Sequence, residues 1–151
     1  MTGGMQALAS ATVGELSPRP HAQVGTGDAM WKVVSEMKAK GRGAVLVEED
    51  GALVGIFTER DLLNRVDYSE PLWSHVVVRD VMTPHPMVIR PDDSLSEALR
   101  RLTQGHRRHL PIVDERGRVL GLISIRDILT HIAERFPEDM MNLPPHPDHE
   151  S

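Results

Sequence analysis

Apolar side chains at Met30, Val33, Val34 and Met37 recur at i, i+3, i+4 and i+7, the period of a helix with one buried face, and Asp28 stands ahead of them. The same spacing returns 65 positions later at Leu95, Ala98, Leu99 and Leu102, behind Asp93. Ser94 and Glu97 add the S-x-x-E capping box that opens such a helix. Each helical pattern leads to a short apolar run, Ala44-Val45-Leu46-Val47 or Leu110-Pro111-Ile112-Val113. A turn at Asp50-Gly51 or Arg116-Gly117 and a second apolar run follow. Two such runs joined through glycine predict a β-hairpin. A further helix is expected over about 59–65 and about 125–134, and a short strand leads in over 23–25 and 87–89. The order strand, helix, strand, strand, helix is thus predicted twice.

The duplication is visible residue by residue. Gly51-Ala52-Leu53-Val54-Gly55-Ile56-Phe57-Thr58-Glu59-Arg60-Asp61-Leu62-Leu63 matches Gly117-Arg118-Val119-Leu120-Gly121-Leu122-Ile123-Ser124-Ile125-Arg126-Asp127-Ile128-Leu129 at a shift of 66. The helix ahead of it matches at 65, so one residue is inserted in the loop that follows that helix. Internal repeats of this kind decide architecture. A chain of 151 residues accommodates two half-domains of roughly 50 to 60 residues that must pack together, since a unit that short is marginal alone. The expected organisation is a flexible lead-in over 1–15, a first repeat over 16–66, a connector over 67–79, a second repeat over 80–135 and a flexible tail over 136–151. The tail carries Pro137, Pro144, Pro145 and Pro147 among acids and histidines, too little apolar area to order itself.

Composition narrows the function. Apolar residues make 40% of the chain and charged residues 26%, the balance of a water-soluble globular protein. No run approaches the roughly 20 apolar residues of a membrane span, so no membrane partner is expected. The N-terminus lacks the pattern of a secretion signal, and the absence of cysteine fits the reducing cytoplasm. A net charge of −5 argues against nucleic acid as a partner.

The residues Gly55-Ile56-Phe57-Thr58-Glu59-Arg60-Asp61, Gly121-Leu122-Ile123-Ser124-Ile125-Arg126-Asp127, Arg108-His109-Leu110-Pro111-Ile112-Val113-Asp114 and Val81-Met82-Thr83 resemble the CBS-domain family, specifically a stand-alone CBS pair or Bateman module. The resemblance implies an α+β fold of two β-α-β-β-α repeats packed face to face with pseudo-two-fold symmetry. It also implies an adenine nucleotide (AMP, ADP or ATP) in the cleft between them, a disc-like homodimer and a separate, unidentified partner protein. Other members are similar in fold yet take S-adenosylmethionine or NAD(H).

The chemistry of the shared motif is compatible with that ligand. A strand that ends in Thr58 or Ser124 and turns into a helix presents a hydroxyl and unpaired N–H groups suited to phosphate. Asp61 or Asp127, three residues on, offers two acceptor oxygens to a ribose diol, as an acid does in dinucleotide-binding folds. Gly55 and Gly121 let a neighbouring backbone or ligand come close. The competing explanation is that both motifs are capping boxes that only start helices.

Arg107, Arg108 and His109, beside His106, form a cationic loop able to fork onto phosphate, unless solvent and nearby acids occupy it. In the family this segment approaches ligand phosphates, and its counterpart in the first repeat is Arg42, without the His and Pro. Adenine would need backbone and apolar contacts near Ala22 and Met87. No resident cofactor or metal is expected: His146, Asp148, His149 and Glu150 cluster only in the tail, and no nucleophile elbow, zinc helix or Walker loop occurs. Trp31, beside the apolar stripe of the first helix, is a candidate dimer contact. The alternatives are a structural dimerisation module without a physiological ligand and, more remotely, an enzyme acting on nucleotides.

Overall fold

A computed structural model describes residues 8–16, 21–41, 43–105 and 107–135. The first repeat runs β1 (Ala22–Gly25), α1 (Met30–Lys40), β2 (Ala44–Glu49), β3 (Ala52–Thr58) and α2 (Glu59–Arg65). Between α2 and the second repeat's first helix lie two 3-10 turns, Trp73–His75 and Val78–Asp80, and a short strand β4 (Thr83–Pro84). The second repeat has α3 (Leu95–Gln104), β5 (His109–Val113), β6 (Val119–Ser124) and α4 (Ile125–Arg135). β1 lies parallel to β2, and β2, β3 and β4 are antiparallel neighbours in one sheet; β5 and β6 form the other.

The expected lead-in strand over 87–89 shrinks to a single parallel bridge, Ile89 to Ile112. Ile89 N–H donates to Pro111 O and Val113 N–H to Ile89 O, both at 2.9 Å. The next rung on either side would need an N–H from Pro111 or Pro91, and proline has none.

Register shows where the two repeats differ in length. Ala44 pairs with Thr58 and His109 with Ser124, so the first strands of the two hairpins correspond at 65 and the second strands at 66. The extra residue therefore sits in the second hairpin turn, not in the loop after the first helix. Asp50 and Gly51 both take positive φ, 54° and 83°, and close a two-residue turn. In the second hairpin Gly117 alone is left-handed (φ 81°), and the turn is one residue longer, closed by Gly117 N–H on Asp114 O at 3.0 Å. The Asp114 carboxylate accepts from the N–H groups of Arg118 and Arg116, and the first of these bonds leads in holding its pKa below the ordinary value. Each hairpin also bulges one residue before the motif glycine, at Val54 and Leu120.

β2 is buried on both faces. Val45 and Val47, with Phe57 of β3, pack against Met30, Val33 and Met37 of α1. Ala44, Leu46 and Ile56 point the other way and meet Leu122 of the second repeat. The two repeats thus lie sheet to sheet under pseudo-two-fold symmetry, and Leu53 N–H donates to Gly117 O at 3.0 Å between the hairpin ends.

Each repeat is completed by the segment preceding the other. Val13 N–H donates to Asp93 O, Gly14 N–H to Pro91 O and Leu95 N–H to Ala11 O. In the connector, Val78 N–H donates to Asp28 O, Arg79 N–H to Thr26 O and Met30 N–H to Val76 O, the same bonds with each partner displaced by 65 positions. Ala11, Val13 and Leu16 are buried in the second repeat's core, as Val78 and Val81 are in the first's. The flexible lead-in expected over 1–15 therefore does not extend to residues 8–15; residues 1–7 and the tail over 136–151 lie outside the described residues. Three apolar positions on and beside one 3-10 turn, Val13–Glu15, carry no periodicity from which this docking could be read.

Candidate ligand-binding cleft

A cleft of about 710 Å³ opens between the repeats. The first repeat contributes Gly43, Thr58, Asp61 and their neighbours on α2; β4 contributes Thr83; the second repeat contributes Met87, Arg107, Arg108 and His109. Six of the residues singled out from sequence thus come together: Thr58, Asp61, Met87, Arg107, Arg108 and His109. Ser124 and Asp127 lie at the corresponding corner of the second repeat and do not line this cleft. Ala22 is fully buried in the first repeat's core, and Arg42 and His106 lie outside the described residues.

Asp61 is the one charged side chain buried among the described residues, at 7% exposure. Its Oδ2 accepts from Thr58 N–H at 3.0 Å and Thr58 Oγ1 at 3.2 Å, while Asp61 N–H donates back to Thr58 Oγ1 at 3.2 Å. This capping box starts α2, so the capping reading of the motif is met in full. It uses one oxygen. Oδ1 has only long contacts, to Thr83 Oγ1 at 3.4 Å and Arg65 Nε at 3.5 Å, near the limit of hydrogen bonding. A buried carboxylate whose second oxygen is loosely held is suited to accept from an incoming hydroxyl. Ser124 and Asp127 repeat the box, with Ser124 N–H on Asp127 Oδ2 at 2.9 Å.

The lining is mainly cationic. Arg60 and Arg65 of α2, with Arg107 and Arg108 of the second repeat, join Glu59 and Asp61, four positive charges against two negative in a chain of net charge −5. Small residues make room for two of these side chains. A Cβ on Gly105 would collide with the Arg107 guanidinium stem, and one on Gly43 would lie 2.6 Å from Glu59 Oε1. Gly55 serves packing instead: its missing Cβ leaves room for the sulfur of Met82. Gly55→Ala is expected to displace Met82 and lower stability by about 1–3 kcal/mol in urea unfolding. Met82→Ala should relieve part of that loss in the double variant.

Behind Met87, α3 holds the lead-in segment in place. Arg101 donates to Val88 O, and Glu97 accepts from Arg101 Nε at 2.7 Å and from Arg100 Nε at 2.9 Å. The predicted capping box is therefore half formed: Ser94 Oγ accepts from Glu97 N–H, but the Glu97 carboxylate turns to the two arginines. Arg100 first, then Arg101, pulls the Glu97 pKa from 4.5 to about 2. A carboxylate depressed on folding contributes stability above its unfolded pKa and loses it as pH falls through its folded pKa. Stability should therefore fall between pH 4.5 and about 2, and Glu97→Gln should flatten that part of an acid-unfolding curve.

Sequence reasoning missed Arg65 and Thr83 as cleft residues. Arg65 stands one helical turn after Asp61, the i, i+4 spacing of an ion pair. Thr83 belongs to Thr83-Pro84-His85-Pro86, which Ser17-Pro18-Arg19-Pro20 echoes ahead of the first repeat. Among the described residues no group of acids and histidines is arranged to hold a metal, and no helix is long and apolar enough to cross a membrane. The His146–Glu150 cluster lies outside them. Trp73 packs edge to face on Tyr68 with ring centres 5.0 Å apart, whereas Trp31 is 57% exposed on α1.

Comparison with known proteins agrees with this architecture. The CBS domain family matches residues 13–68 and 78–134. An uncharacterized protein of Methanopyrus kandleri is 30% identical over 123 residues, 81% of this chain. The chain spans 63% of that relative's length and 16% of some other curated relatives. A putative signal-transduction protein with CBS domains from Burkholderia ambifaria superposes with a TM-score of 0.70 at 30% identity, covering 87% of this chain and 93% of that one. The CBS-pair protein CBSX2 of Arabidopsis thaliana, solved in complex with AMP, superposes with a TM-score of 0.71 at 29% identity, covering 83% of this chain and 98% of its own. With both repeats matched and the paired architecture shared, the chain belongs to the CBS domain family and carries two of its domains.

Proposed function

We propose that the cleft at Asp61 binds an adenine nucleotide as a regulatory ligand, without catalysis. The observation that carries this reading is the pairing, in one cleft, of the loosely held Asp61 Oδ1 with the Arg107-Arg108-His109 segment of the other repeat. The CBSX2 complex with AMP supports the ligand class. In this reading Asp61 accepts from the ribose diol and Thr58 keeps it oriented. Arg107, Arg108 and His109 meet phosphate, and Met87 lies against the base. Ser124 and Asp127 would belong to the symmetry-related second site. Occupancy would favour one relative arrangement of the repeats and so act on a partner protein, because a ligand with equal affinity for both arrangements shifts nothing. The exposed Trp31 favours a homodimer, to be read by light scattering, and the absence of cysteine is compatible with the cytoplasm.

The test is thermal denaturation with AMP, ADP, ATP, NAD(H) and S-adenosylmethionine. A ligand at 100 times its Kd adds about 2.7 kcal/mol. Stabilisation by the adenine nucleotides is expected. A response to NAD(H) or S-adenosylmethionine alone would change the ligand, and silence with all five would leave a structural dimerisation module. Consumption of the nucleotide on long incubation would make the protein an enzyme.

A further inference from the structure

Asp61 Oδ1 is shared by two groups tied to the same stretch of chain. Thr83, at 3.4 Å, belongs to β4 and pairs with Ile56 of β3. Arg65, at 3.5 Å, also donates through Nη1 to Met82 O at 3.0 Å and Val81 O at 3.5 Å. Residues 81–83 join the connector turn docked on the first repeat to the segment containing Pro86 and Met87, which lines the cleft from the second. The carboxylate that faces the cleft therefore also touches, through one guanidinium and one hydroxyl, the chain that passes from one repeat to the other.

We propose that Arg65 is the positioning residue through which occupancy of the cleft reaches residues 81–85, an inference that rests on the nucleotide reading above. A ribose diol on Oδ1 competes with the long contacts to Thr83 and Arg65. The shorter bond from Arg65 to Met82 O survives that competition, so α2 keeps its hold on the connector while β4 loses its tie to Asp61. The segment then moves with the connector rather than with the carboxylate.

The experiment is hydrogen exchange of the full chain with and without saturating AMP, with binding of each variant established by calorimetry. In the wild type, the amides of Val81, Met82, Thr83 and His85 are expected to change exchange rate at least twofold on AMP addition. In Arg65→Ala these amides exchange faster without ligand, and AMP, which still binds, causes a smaller change than in the wild type, because only the contact from Thr83 to Oδ1 is left to be displaced. Thr83→Val should reproduce in the free protein part of the shift that AMP causes in the wild type. A response of Arg65→Ala to AMP equal to that of the wild type overturns the proposal. Loss of AMP binding by Arg65→Ala also overturns it, making Arg65 a binding residue. Failure of the wild type to bind any adenine nucleotide refutes the underlying reading of the cleft, whereas wild-type binding with unchanged exchange over 81–85 refutes only the role of Arg65.

Discussion

Asp61→Asn is expected to weaken nucleotide binding about 100-fold while leaving the fold intact. Hydrogen bonds to a charged acceptor contribute about 1.5–3 kcal/mol each, so losing the charge under two ribose hydroxyls costs about 3 kcal/mol in binding. Asn keeps a side-chain oxygen for Thr58 N–H, so α2 retains its cap and the unliganded protein should unfold within about 1 kcal/mol of the wild type. Asp61→Ala removes both functions and should lose stability as well as affinity. Calorimetric titration with AMP reads the first effect and urea unfolding the second. Affinity within threefold of the wild type in Asp61→Asn would mean that Asp61 is only a helix cap.

Val13→Asp should be the most destabilising of the substitutions considered. Val13 is 1% exposed in the second repeat's core, on the 3-10 turn whose N–H groups bond Asp93 and Pro91. A carboxylate buried there without a partner costs about 3–5 kcal/mol, against a total stability of about 5–15 kcal/mol for a small domain. The midpoint of urea unfolding should fall sharply. A flexible lead-in would instead tolerate the change at no cost, so an unchanged midpoint would contradict the docking of residues 11–16.

What could be read in the sequence followed from periodicity and duplication. The helices at Met30 and Leu95 showed themselves through one apolar stripe each, and the hairpins through alternating runs broken by glycine. The motif ending in Asp61 and Asp127 drew attention because it occurs twice. What escaped depended on backbone detail or on distant contacts. Pro91 and Pro111 deny the second repeat a lead-in strand, although Met87-Val88-Ile89 looks as apolar as any strand. The position of the inserted residue turned on whether Asp50 adopts positive φ, which no pattern of apolar residues specifies. The crossed docking of residues 11–16 and 76–81 relies on backbone bonds across long stretches of chain, and few side chains signal it. Nor does local spacing state that the cations near His109 face Asp61 of the other repeat, since that pairing arises only when the sheets meet through Leu46, Ile56 and Leu122.

The most direct test is a crystal structure of the protein saturated with AMP. The ribose O2′ and O3′ are expected within hydrogen-bonding distance of Asp61, about 3 Å, with Thr83 and Arg65 released from Oδ1 and the phosphate against Arg107 or Arg108. A nucleotide bound elsewhere, with Asp61 still held by Thr83 and Arg65, would contradict this expectation.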